Sequence, residues 1–253
     1  MKLTTNKNVS VDGVMQGLGG PEEDPRGGFE RGGWDMPHFD EETAALVGRV
    51  YGRADAFLFG RRPYEIFAGS WGTGSWGADQ GDNPSLVALN TRPKYVASTT
   101  LTDPQWAGTT VLSGDVAAAV GELKAKPGGE LQVVGSLSLV RLLLDKDLVD
   151  ELTLLTYPVV VGQGRRLFPD SGPDLALELV ESRATASGVT IQVYVPPGVR
   201  STERSHRRPE ARDVDTPSRG PDDRGERRTP SGGAASGATS RLSTAGPGAP
   251  VSA

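Results

Sequence analysis

The 253-residue chain predicts an α/β protein with a mostly parallel central sheet and an antiparallel edge. Three observations carry that prediction. Short apolar runs that read as buried strands, DAFLFG (55–60) and ELQVVG (130–135), each pass directly into a helical pattern. The last two strand-like segments are separated by the turn residues Ser187-Gly188, which make an antiparallel hairpin. Every Trp, Tyr and Phe lies between Phe29 and Tyr194, so a single domain, 1–195, holds the core.

The elements follow in order. KLTTNKNVS is a first strand, and a Gly- and Pro-rich loop runs from Asp12 to about Pro37. In segment 40–54, Ala44, Leu46, Val47, Val50, Tyr51 and Ala54 share one helical face. Strand 55–60 ends in Gly60, and RRPYEIFAGSW opens a helix with Pro63 in its first turn. KYVAST (94–99) and TTVLSG (109–114) are strands, and DVAAAVGELKAK (115–126) is a helix capped by Asp115. ELQVVG leads into the helix SLSLVRLLLDKD. DELTLLTYPVVVG (150–162) reads as a long central strand in which Pro158 requires a bulge or an edge. LALELVESRATA and GVTIQVYV form the closing hairpin.

Composition excludes several function classes. Lys+Arg 27 against Asp+Glu 32 gives −5, too acidic for a general nucleic-acid binder. With no cysteine there is no disulfide scaffold, thiolate nucleophile or Cys-ligated metal. The longest apolar stretch, LLTYPVVV (154–161), is far short of the roughly 20 residues that span a bilayer. The N-terminus MKLTTNKNVS lacks the apolar core of a signal peptide, so a cytoplasmic location is expected, with no membrane partner. From Pro196 the chain has no periodic apolar face, and it carries ten arginines against seven carboxylates. That segment, 196–253, reads as a disordered Arg/Pro/Gly/Ser-rich tail of about +3, leaving −8 on the domain.

The motif GTGSWG (72–77) satisfies the glycine spacing of a dinucleotide loop but follows a helix rather than a strand, so it reads as a loop. The only histidines are His38 and His206; neither makes a metal or hydrolase constellation, and no metal site is expected. The strand-to-helix junctions carry more. FLFG-RRPYE and QVVG-SLSLV each bring a buried strand through glycine into a helix start, whose free N–H groups suit phosphate. YVAST adds the hydroxyls of Ser98, Thr99 and Thr100, and Arg61 and Arg62 add fixed cations. Three such junctions favour a dinucleotide spread across the carboxyl ends of the strands.

Five segments in fixed order, VSVDGVMQ (9–16), FLFGRRPYE (57–65), KYVAST (94–99), VVGSLSLVRLLLDKDLVDEL (133–152) and VVVGQGRRLF (159–168), resemble the dihydrofolate-reductase-like superfamily. Within it they look like the reductase (RibD C-terminal) domain of bifunctional riboflavin-biosynthesis proteins and its stand-alone relatives. The resemblance implies a three-layer α/β/α fold that binds NADPH and transfers hydride to a small heterocycle. It implies that Arg61, beside Gly60, reaches the adenosine 2′-phosphate and that Arg62 lies near the pyrophosphate. Ser98 and Thr99 match the strand end at the adenosine phosphate. Gly135, Ser136 and Leu137 match the backbone that holds the pyrophosphate, and Asp12 and Gly13 match the lip of the substrate pocket.

Some positions depart from the family pattern. Pro63 stands where many relatives have Thr, and Ser136 replaces a second Gly, which is tolerable with negative φ. Val14-Met15-Gln16 replaces a Lys followed by small residues, which weakens the match to the phosphoribosylaminouracil reductase of riboflavin biosynthesis. Dihydrofolate reductases hold their pterin with a carboxylate on the first helix. Asp40, Glu41 and Glu42 lie only at that helix's start, where they complement its dipole. No deaminase half is seen before the domain, so a stand-alone reductase is expected. Asp12 is the candidate for orienting substrate or relaying a proton, and Trp34 for walling the pocket under a Gly-rich loop (16–37) that could close as a lid. The rival readings are a catalytically idle NADPH-binding or scaffold protein and a functional tail on an inert domain. A homodimer is expected through exposed sheet edges.

Overall fold

The computed structural model describes residues 1–72, 83–168, 170 and 174–198. The elements are β1 (Lys2–Ser10), α1 (Glu41–Arg53), β2 (Ala54–Gly60), α2 (Arg61–Phe67), α3 (Pro84–Thr91), β3 (Lys94–Ala97), β4 (Thr109–Leu112), α4 (Val116–Ala125), β5 (Glu130–Val134), α5 (Leu137–Asp145), β6 (Glu151–Tyr157), β7 (Glu178–Ala184) and β8 (Thr190–Val195). The strands form one sheet in the order β4-β3-β2-β5-β1-β6-β8-β7. Pairing is parallel from β4 through β6, and β8 and β7 are antiparallel.

Burial on both faces explains the near-continuous apolar runs of the inner strands. In β2, Ala56 and Leu58 pack with α4 and α5 on one face, while Phe57 and Phe59 pack with α1, α2 and α3 on the other. The result is the three layers expected. A third cluster, built from Trp34, Leu155, Tyr157 and Ile191 among others, extends the second face under loop 11–40.

Local signals explain most boundaries. Asp40 caps α1 by accepting from Thr43 N–H and Oγ–H, both at 2.8 Å. Burial pushes its carboxyl up, but those two bonds and the Ser187 and Thr185 contacts outweigh burial and hold it far below the carboxylate range. Asp115 caps α4 through Ala118 N–H at 3.0 Å. The hairpin turn closes with Thr185 N–H to Val189 O at 2.9 Å, and Gly188 takes the positive φ the turn requires.

Three expectations are corrected. The strand expected over 150–162 stops at Tyr157, because Pro158 has no N–H to continue the ladder. The helix expected over 61–71 ends at Phe67 and continues as a wider π-type turn, Ala68–Gly72. Helix α3 was not expected at all; Asn83 caps it through Ser85 N–H, and Pro84 opens it. GTGSWG beyond Gly72 and the tail beyond Gly198 lie outside the described residues.

Candidate active site

Strands β1 and β5 are neighbours, yet their exits diverge. The chain leaving β1 crosses through α1 to β2 on one face, and the chain leaving β5 crosses through α5 to β6 on the other. Such a switch point opens a crevice at the carboxyl ends of the strands, where ligands of open α/β sheets bind. A cleft of about 470 Å³ lies there, with Gly60, Arg61, Arg62, Gly135, Ser136 and Leu137 in its walls. These are six of the eight residues expected to hold the cofactor. Ser98 and Thr99 lie outside its lining, which reaches only Ala97.

Two close contacts make the cleft floor. A Cβ on Gly60 would lie 2.2 Å from Ser136 Oγ, and one on Gly135 would lie 2.7 Å from the Pro63 ring. The β2–α2 and β5–α5 junctions are therefore pressed together, and only glycine permits it. Gly135 has φ +60°, and Ser136 follows with φ +51°. The condition under which a serine is tolerable here, a negative φ, is not met: Ser136 occupies the left-handed region, where an L residue other than glycine is strained. Its side chain does not cap α5, which leaves the first-turn N–H groups of that helix facing the cleft without a side-chain acceptor. Ser136→Gly is expected to stabilise the chain by about 0.5–1 kcal/mol, the relieved strain exceeding the added chain entropy, as a rise in the denaturation midpoint would show.

The two arginines face different ways. Arg61 pairs with Glu65 at 2.7 Å and donates to Thr100 Oγ1 at 2.5 Å, which sets its guanidinium beside the turn that ends β3. In that turn Ser98 Oγ accepts from the N–H groups of Thr100 and Leu101. Arg62 reaches the loop above, donating to Glu23 O at 3.1 Å and standing 3.4 Å from Asp24. Its Nε is buried and has no protein partner. Gln16 ties the same loop down, donating to the carbonyls of Asp24 and Arg26 and accepting from Arg165 N–H.

The three residues expected at the substrate pocket, Asp12, Gly13 and Trp34, do not line the cleft. Asp12 binds Ser10 Oγ–H at 2.6 Å and the N–H groups of Val161 and Gly162 at 3.0 and 2.8 Å. Burial pushes its carboxyl up, but these bonds prevail and bring it to about 2. Asp12 is a clasp between the end of β1 and loop 158–168, and it has no proton to relay at neutral pH. Gly13 continues the clasp, its carbonyl accepting from Leu167 N–H. Trp34 is a core residue, edge-on to Tyr157 at 5.7 Å, with Nε1 donating to Gln16 O.

Polar residues on β1 were missed. Lys7 is buried, its Nζ donating to Val133 O at 3.1 Å, and burial lowers its pKa to about 7. Asn8 is equally buried, and neither atom of its amide has a protein partner. In the loop after β1, burial pushes the Asp35 carboxyl up against the pull of Gly19 N–H, and its second oxygen has no partner either. The usable signal was the polar run TTNKN inside a strand placed in a buried sheet.

A mostly parallel sheet with a switch-point cleft, two glycine-bearing junctions and two arginines is the layout of an open α/β protein that takes a ligand at the carboxyl ends of its strands. The model of the RibD C-terminal domain matches residues 1–191, and the chain belongs to that family. It is 29% identical over 188 residues to the uncharacterized protein YyaP of Bacillus subtilis (strain 168), covering 74% of this chain and 90% of that one. Among solved structures it is similar to a Shewanella sp. PV-4 protein assigned to riboflavin biosynthesis, with TM-score 0.55 and 21% identity over 78% of this chain and 99% of the other. It also resembles a pyrimidine reductase-like protein of Corynebacterium diphtheriae, with TM-score 0.50 and 15% identity over 79% of this chain and 92% of the other. These likenesses establish the dihydrofolate-reductase-like fold. Among the described residues, no helix is long and apolar enough to cross a membrane.

Proposed function

We propose that the chain is an NADPH-dependent reductase acting on a small heterocycle. The observation that carries this reading is the cleft at the β1/β5 switch point, walled by both glycine junctions and by Arg61 and Arg62. The residues present fit the cofactor. Arg62 brings a buried, unpartnered guanidinium nitrogen, and the first turn of α5 brings uncapped N–H groups, both suited to a pyrophosphate. Arg61, with the Ser98–Thr100 turn, would take the 2′-phosphate, in competition with Glu65. When bound, the nicotinamide supplies the hydride. The chain orients the ring and excludes water, using Met15 and Leu18 in the cleft wall and the loop held by Gln16 and Arg62.

A specific observation favours a second reading, an idle NADPH binder: the carboxylate expected to move a proton, Asp12, is locked into a clasp. A screen of oxidised heterocycles for substrate-dependent loss of NADPH absorbance separates the two. Turnover supports the reductase, whereas tight binding with no turnover across the panel supports the idle binder.

We also propose that two copies associate through β7. Its outer edge has no strand partner among the described residues, and Leu175, Leu179 and Val180 are exposed along or beside it. Light scattering should give a dimer mass for the wild type and a monomer for Leu179→Lys/Val180→Lys. A monomeric wild type would contradict the pairing.

A further inference from the structure

The amide of Asn8 has no evident role in the fold. After the pair Thr5–Val133 the ladder between β1 and β5 ends, so the strands part beside Asn6, Lys7 and Asn8. On the other side, the β6 residue in register with Asn8 is the apolar Leu155. Asn8 is 3% exposed, and its amide nitrogen and oxygen both lack a protein partner, as does Asn6 Oδ1. Buried amides are ordinarily paired, because an unpaired one forfeits its hydration.

These side chains line a small cavity of about 20 Å³, together with Tyr51 and Gln132. That volume admits one water-sized group, about 10–15 Å³ being the minimum. The cavity shares Met15, Leu18 and Gly135 with the large cleft, so a ring lying in the cleft can insert one polar substituent there. An asparagine presents a donor and an acceptor side by side, matching a group that does the same.

Building on the reductase reading, we infer that Asn8 is a specificity-determining residue. Its side-chain amide recognises a carboxamide or lactam on the ring bound in the cleft. Two sources carry that chemistry, the nicotinamide carboxamide of the cofactor and the lactam edge of a heterocyclic substrate.

Fluorescence titrations of the full chain as wild type, Asn8→Leu and Asn8→Ala distinguish them. The probes are NADPH, 2′-phospho-ADP-ribose (which lacks nicotinamide), and lumazine, a fluorescent pteridinedione, added to protein saturated with NADP⁺. In both variants, 2′-phospho-ADP-ribose should bind as in the wild type. The dissociation constant of NADPH should rise at least about tenfold if the cofactor carboxamide is the partner, and that of lumazine if the substrate lactam is. Thermal melts should show Asn8→Leu at least as stable as the wild type, since leucine needs no partner. Unchanged binding of both NADPH and lumazine, or loss of folding in both variants, would overturn the inference and leave Asn8 a hydrated or packing residue. A wild type that binds neither dinucleotide would instead remove the reductase reading itself, and the inference with it.

Discussion

Lys7→Met is expected to stabilise the chain by about 5 kcal/mol at pH well below 7, the free-energy equivalent of the lysine's pKa depression. The sign follows from where the charge is disfavoured. In the folded state burial lowers the pKa from 10.5 to about 7, so the folded chain binds fewer protons than the unfolded one across that interval. Wild-type stability should therefore rise as pH climbs from about 7 to 10.5 and fall to its floor below 7. Methionine fills a similar volume without the ammonium group, and Val133 O loses only one donor. Denaturant unfolding of both proteins across this interval checks it. The variant's advantage should shrink with rising pH, and a difference independent of pH would contradict the burial of a titrating Lys7.

The second large effect concerns Gly135. Gly135→Ala places a Cβ 2.7 Å from the Cβ and Cγ of Pro63 while holding φ at +60°. Neither strain relaxes cheaply, because the proline ring is fixed to the first turn of α2 and cannot rotate away. A loss of about 2–4 kcal/mol is expected from the left-handed conformation and the overpacking together. The junction that opens α5 must shift away from α2, so nucleotide affinity should fall along with stability. Thermal melts with and without NADPH measure both. An unaltered melting temperature would mean that the two junctions do not meet as described.

Most of the fold was legible because its elements carry local signals. Asp40, Asp115 and Gly188 stand where caps and a turn need them, and alternation in β2 separates Phe57 and Phe59 from Ala56 and Leu58. Helix α3 was missed because its apolar residues have no one-sided pattern, Leu86, Ala88 and Leu89 being buried and Val87 exposed. The junctions at Gly60 and Gly135 were legible because strand, glycine and helix follow one another in the chain. The polar groups of β1 were not, because their meaning depends on sheet order. Asn6, Lys7 and Asn8 lie at a crevice only because β5 inserts between β2 and β1. Asp12 misled for a similar reason, since the amides of Val161 and Gly162 that engage it are far along the chain.

The most direct test of the central claim is a fluorescence titration of the wild type and Arg61→Ala with NADPH and NADH. The wild type should bind NADPH at least about tenfold more tightly than NADH, a charge-assisted contact to the extra phosphate being worth about 1.5–3 kcal/mol. Arg61→Ala should lose that preference while still binding NADH as the wild type does. Failure of the wild type to bind either nucleotide would contradict the account and leave the likeness to reductases a likeness of fold.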